Sequence, residues 1–214
     1  QSGYEFTADT IINLVTNAQD GLLSLGFIFA VYLATNGIDG MLMAFKDSYN
    51  TKIVRNAFQQ KMLSISLLFI LTFLLIIAIA LIIFSEYMVN FILDPGSIAS
   101  ISLLLGKWLI MAALCFFAIS FIYYLGGDRT LKWRFFSAGS TLATLMVLLV
   151  SFGFGYYVDN FANYNKIYGS IGTIIVVMLW IYFNSLVLLL GFELNASIQQ
   201  AGSIEKVERE IEED

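Results

Sequence analysis

Hydrophobic residues in this chain come in long runs separated by short polar and charged intervals, and the length of the runs decides the class of fold. A helix needs about 20 apolar residues to cross roughly 30 Å of hydrocarbon. Met62–Phe84 meets that length with no charge and only Ser64, Ser66 and Thr72 as polar side chains. Phe135–Val158 and Tyr168–Leu194 meet it as well. Ile98–Leu125 exceeds it and holds Lys107, so either the helix tilts or its first turns lie among headgroups, with Trp108–Leu125 sufficient alone. In Gly21–Phe45 the apolar run Leu22–Ala34 is followed by Thr35, Asn36, Gly37, Ile38, Asp39 and Gly40, a pattern that predicts an interrupted helix.

These runs predict an all-α transmembrane bundle of five spans over residues 21–200. Ahead of it, residues 1–20 form a connector in which Ile11, Leu14, Val15 and Ala18 recur at helical spacing, as in an amphipathic helix lying against the membrane or the bundle. Behind it, residues 201–214 form an acidic tail. Pro95, in Asp94-Pro-Gly-Ser97, marks the turn between the second and third spans.

Composition agrees with a bilayer solvent. Apolar residues make up 59% of the chain and charged residues 13%, against about half and a quarter in soluble domains. The net charge of −5 is concentrated at the end, where Ile204–Asp214 carries six carboxylates against Lys206 and Arg209. Glu205 with Arg209 and Lys206 with Glu210 are i,i+4 pairs, so this tail reads as a solvated extension of the last helix.

Basic residues set the orientation, because short cytoplasmic loops are enriched in Lys and Arg. Lys46, Lys52, Arg55 and Lys61 flank the first connection, and Arg129, Lys132 and Arg134 the third. The opposite connections hold only Lys166, or Lys166 and Lys107 if the latter lies outside. The C-terminus is therefore expected in the cytoplasm and the N-terminal segment outside, and a sixth, upstream helix would bring both ends inside. Tyr156, Tyr157, Phe161, Tyr164 and Tyr168 form the outer aromatic belt, and Tyr123, Tyr124, Trp133, Phe135 and Phe136 the inner one.

Histidine is absent and Cys115 is the sole cysteine, which removes histidine triads, histidine zinc sites, thiol clusters and an intrachain disulfide. No metal or cofactor site is expected. A nuclease would want water-accessible carboxylates holding metal ions beside a basic groove, and neither is apparent; the acidic tail would repel nucleic acid. No enzyme is expected.

Tyr164-Asn-Lys-Ile-Tyr-Gly-Ser-Ile-Gly172, Val177-Met-Leu-Trp-Ile-Tyr182 and Leu190-Gly-Phe-Glu-Leu-Asn-Ala196 resemble the C-terminal signature of the YihY/BrkB family. A weaker likeness reaches back through Arg129–Arg134 and the first basic loop to about Asp20. The resemblance implies a bacterial inner-membrane protein of six spans, the first lying upstream of this chain. Members have been labelled ribonuclease BN, serum-resistance virulence factors and transporters, so the resemblance implies a fold more than a reaction.

Ionisable groups inside spans cost about 2.5–3.5 kcal/mol at a helix centre and call for a role or a route to the interface. Asp39 is either near the headgroups or, with Asn36 and backbone opened at Gly37 and Gly40, part of a cation or proton site. Lys107, next to Trp108, is either an interfacial anchor or, if its helix is unbroken from Ile98, an anion or carboxylate partner. Asn184, Gly191 and Asn195 share one direction on the last span, with Trp180 a turn earlier, a stripe suited to helix packing. Glu193 points to the other side. Asn36, Asp39, Lys107, Asn184, Glu193 and Asn195 are thus the candidates for a transport path. They favour a transporter of an ion or a lipid-like envelope component; the alternative is a scaffold docking through its tail or N-terminal helix. Membrane lipids are the expected partners, nucleic acid is not, and a homo-oligomer is left open.

Overall fold

The computed structural model describes residues 20–48, 55–91, 98–127, 134–161 and 170–213. Among them every regular element is an α-helix: α1 (Asp20–Ser48), α2 (Ala57–Phe91), α3 (Ile98–Gly126), α4 (Ala138–Phe161) and α5 (Ser170–Glu213). All five are long and apolar enough to cross a membrane. The segment Thr7–Gln19, the turn at Pro95 and the basic residues Lys52, Arg129, Lys132 and Lys166 lie outside the described residues.

The predicted interruption of the first span is overturned. α1 continues as one helix through Asn36, Gly37, Asp39 and Gly40 to Ser48. Each glycine costs about 1 kcal/mol relative to alanine in a helix. Leaving backbone groups unpaired in hydrocarbon costs several kcal/mol apiece, so without a proline the hydrogen-bond ladder wins. The backbone at Gly37 and Gly40 is therefore held within the helix.

Helix ends are capped from nearby sequence. Asn56 precedes α2, and Gln59 reaches back to its amide at 3.5 Å. Ser137 precedes α4, and Ser137 and Ser140 each accept the other's backbone N–H at 3.2 Å, a reciprocal cap with serine in place of the usual glutamate. α5 runs on past its membrane-length portion, Ile174–Gly202, to Glu213, so the acidic segment continues the last helix.

Contacts run from α1 to α2, α2 to α3, α3 to α4, α4 to α5 and back to α1, closing the five helices into a ring. Successive helices are antiparallel, so α1, α3 and α5 all run toward the end that carries Lys46, Arg55 and Lys61. The core gathers at this basic end: Leu42 and Phe45 of α1, Leu67 of α2, Ile119, Ile122 and Tyr123 of α3, Ala143 of α4, and Phe192 and Ala196 of α5. Phe45 stacks on Phe192 at 4.3 Å between ring centres, and Tyr123 meets both edge-on. Toward the opposite end the large apolar side chains face outward, among them Phe73, Ile83, Leu105, Leu149 and Met178. A surface this apolar is stable only under lipid or another apolar cover.

Candidate functional site

Small residues let α4 and α5 touch backbone to backbone. A Cβ on Gly139 would collide with the Gly191 carbonyl oxygen, and one on Gly191 would fall 2.5 Å from Tyr123 Oη and 2.7 Å from Ala143 Cβ. In that closeness the Asn195 amide joins both helices: its oxygen accepts the Gly139 N–H at 2.7 Å and its nitrogen donates to Ser137 Oγ at 2.8 Å. The Gly139 N–H at the start of α4, which the helix's own ladder cannot satisfy, is thereby satisfied from α5. Tyr123 adds the third helix, donating to the Leu188 carbonyl at 2.6 Å.

Arg55, ahead of α2, caps the end of α3. Its guanidinium donates to the carbonyls of Leu125, Gly126 and Gly127 at 3.0, 3.3 and 2.6 Å. These are the orphan acceptors of a helix C-terminus, where positive charge also meets the negative end of the macrodipole. Beside it α1 and α2 border an open cavity of about 260 Å³ lined by Leu42, Met43, Lys46, Arg55, Ala57 and Gln60.

One step along the same helix pair lies a polar cluster. Asp39 accepts the Ser64 hydroxyl at 2.9 Å and faces the Lys61 ammonium at 3.6 Å, with side-chain exposures of 21% and 37% for acid and base. Lys61 also donates to Asn36 Oδ1 at 2.6 Å and lies 5.7 Å from the centre of the Tyr32 ring. Asn36 and Asp39 thus meet one ammonium, a neutral arrangement of opposite charges.

Lys107 stands apart from these groups. α3 is unbroken from Ile98, yet Lys107 to Gly126 alone rises about 28 Å, close to the thickness of the hydrocarbon layer. Trp108 packs near Phe152 with ring centres 6.0 Å apart, and Tyr156 and Tyr157 follow one turn on, so Lys107 is level with an aromatic belt. Its stem helps line a second cavity, about 240 Å³, with Leu81, Phe84, Ser85, Leu103, Gly106 and Ile110.

The predicted path residues therefore divide. Asn36 and Asp39 share Lys61; Asn195 ties α5 to α4; Lys107 lies at the opposite end of the ring. Asn184 donates to the Trp180 carbonyl at 2.8 Å, while its side-chain oxygen is buried without a hydrogen-bond partner. Glu193 is half-buried on α5. Among the described residues no hydrogen bond or ion pair joins Asn36 and Asp39 to Lys107, Asn184 or Asn195. Tyr123, Ser137, Gly139 and Ser64 were not singled out as functional positions by sequence. Ser137 and Ser140, set just before an apolar run, are the one pattern from which a helix cap could have been read; the partners of the others depend on helix rotation.

The Virulence factor BrkB family model matches residues 1–213. The ribonuclease-like protein YfkH of Bacillus subtilis is 30% identical over 189 residues, covering 87% of this chain and 69% of that protein. A UPF0761 membrane protein of Stenotrophomonas maltophilia, Smlt0865, is 33% identical over 100 residues, 44% of this chain. Another, from Tolumonas auensis, is 36% identical over 80 residues, 37% of this chain. The matched part spans only 24% and 26% of those two relatives. No solved structure matches. A ring of five membrane-length helices ending in the Gly191–Asn195 lock, with a family match over almost its whole length, makes this chain a membrane protein of the BrkB family.

Proposed function

We propose that this chain is the membrane core of a carrier for a lipid-like amphiphile in the bacterial cytoplasmic membrane, with its basic end and acidic tail on the cytoplasmic side. The observation that carries the reading is the placement, among the described residues, of two cavities along α2. One is lined by Ala57 and Gln60, the other by Leu81, Phe84 and Ser85. From Gln60 to Leu81 the helix rises about 32 Å, so the cavities are spaced like the two headgroup layers of a bilayer. Each has a lysine in its wall, and apolar surface lies between them.

A hydrophilic solute or a bare ion would want a dense polar lining across the interior. Asp39 is instead neutralised by Lys61, and Asn195 and Tyr123 are spent on helix contacts, which favours cargo whose tail stays in the lipid. Hydrolysis of nucleic acid is not part of this reading, whatever the name of the Bacillus relative. Among the described residues no three carboxylate or thiol groups converge in a way that could hold a metal ion.

Reconstitution into liposomes carrying headgroup-labelled lipids tests the proposal. Faster exchange of label between leaflets than in protein-free vesicles is the expected result, and an unchanged rate across neutral and anionic labels would overturn it. A scaffold role is the second reading, favoured by the helical continuation of α5 beyond Gly202 to Glu213. It would prevail if removal of residues 203–214 abolished cellular function while lipid movement in vesicles was unaffected.

A further inference from the structure

We propose that the cavity between α2 and α3 beside Lys107 binds an anionic phospholipid, the phosphate on the Lys107 ammonium and a length of acyl chain in the groove. This deepens the carrier reading by naming the headgroup charge and the place where it is held. The walls are apolar, with Leu81, Phe84, Leu103 and Ile110 lining the space. Ser85 Oγ is committed to the Ile82 carbonyl at 2.8 Å, so Lys107 is the charged group left to select a ligand. Lys107 is half-buried, and among the described residues no acceptor or carboxylate pairs with it. Glu86, next to Ser85 on α2, is exposed and makes no ion pair with it.

An interfacial lysine that served only as an anchor would need no cavity beside its stem. Here Gly106 is part of the wall of one, and a Cβ placed on it would meet nothing within 4 Å, so there is free space beside the stem. An unpaired ammonium at the level of Trp108 and Phe152, next to an apolar recess, is complementary to a lipid whose negative charge lies at the same depth as its first methylenes. A zwitterionic headgroup brings its own cation, and so gains less from Lys107.

The test uses the full chain in nanodiscs with photoreactive phosphatidylglycerol or phosphatidylcholine as probes, and peptide mapping of the cross-links. In the wild type, phosphatidylglycerol should label Leu81–Ile110 severalfold more than phosphatidylcholine. Lys107→Gln should bring the two to parity, Lys107→Arg should keep the preference, and excess inorganic phosphate should not compete. Gly106→Leu, which fills the recess, should lower labelling by both lipids; Gly106→Ala gives a milder version if the larger side chain reduces yield. Equal labelling by the two lipids in the wild type, or an unchanged preference in Lys107→Gln, would overturn the site. Preferential labelling without leaflet exchange would leave the site standing and remove the carrier reading.

Discussion

The side-chain oxygen of Asn195 accepts the backbone N–H of Gly139 at 2.7 Å, linking the end of the last span to the first turn of the one before it. Replacing Asn195 with Leu keeps its size roughly constant but strands that buried N–H away from water and removes one donor from the Ser137 hydroxyl. An unpaired buried donor costs about 1–3 kcal/mol. We expect a clear fall in the melting temperature of the detergent-solubilised protein, read by tryptophan fluorescence. Asn195→Asp, which keeps the acceptor, should lose less.

Glycines divide into two groups by what surrounds them. Gly139→Ala and Gly191→Ala drive a methyl into the facing helix, whereas a Cβ on Gly153 or Gly155 meets nothing within 4 Å. The first pair should lower yield and stability sharply in size-exclusion profiles. The second pair should be neutral or stabilising by roughly 0.5–1 kcal/mol through helix propensity. Equal effects of the two pairs would contradict the described packing of α4 on α5.

Asp39 and Lys61 should behave as a coupled pair. Asp39→Asn and Lys61→Met each leave an unbalanced charge near the bilayer, and the double variant should be more stable than the sum of the single losses predicts. The partial exposure of both side chains keeps the coupling to about 1 kcal/mol. Thermal unfolding of the four proteins in one lipid mixture measures it, and strict additivity would show that the contact carries no energy.

Orientation is testable with cysteines because Cys115 is the only native one. In a Cys115→Ala background, Tyr87→Cys should react with a membrane-impermeant maleimide in intact cells. Gln59→Cys should react only after permeabilisation, since α2 places these exposed residues about 42 Å apart. The reverse pattern would invert the proposed topology.

Much of this architecture is legible in one dimension. Met62–Phe84 lies inside α2, and Ile98–Leu125 is α3 to within one residue, because apolar length and the cost of unpaired backbone groups are properties of a segment by itself. The same physics explains the misreading at Gly37 and Gly40: glycine weakens a helix by far less than hydrocarbon penalises breaking it. The pairing of Asn36 and Asp39 with Lys61 was not legible, since Lys61 lies on a different helix and its basic charge already had a reading in topology.

The sequence alone therefore determined the class of fold, the number of membrane-length helices, the clustering of basic residues at one end and the family. Tertiary structure decided that the helices close into a ring packed tightly at its basic end, that Gly139, Gly191, Asn195 and Tyr123 meet, and that Lys107 borders a separate recess. Burial in lipid depends on how apolar a stretch is, which composition states directly. Which side chains meet depends on how each helix is rotated and how closely its neighbour approaches, and those quantities exist only once the helices are assembled.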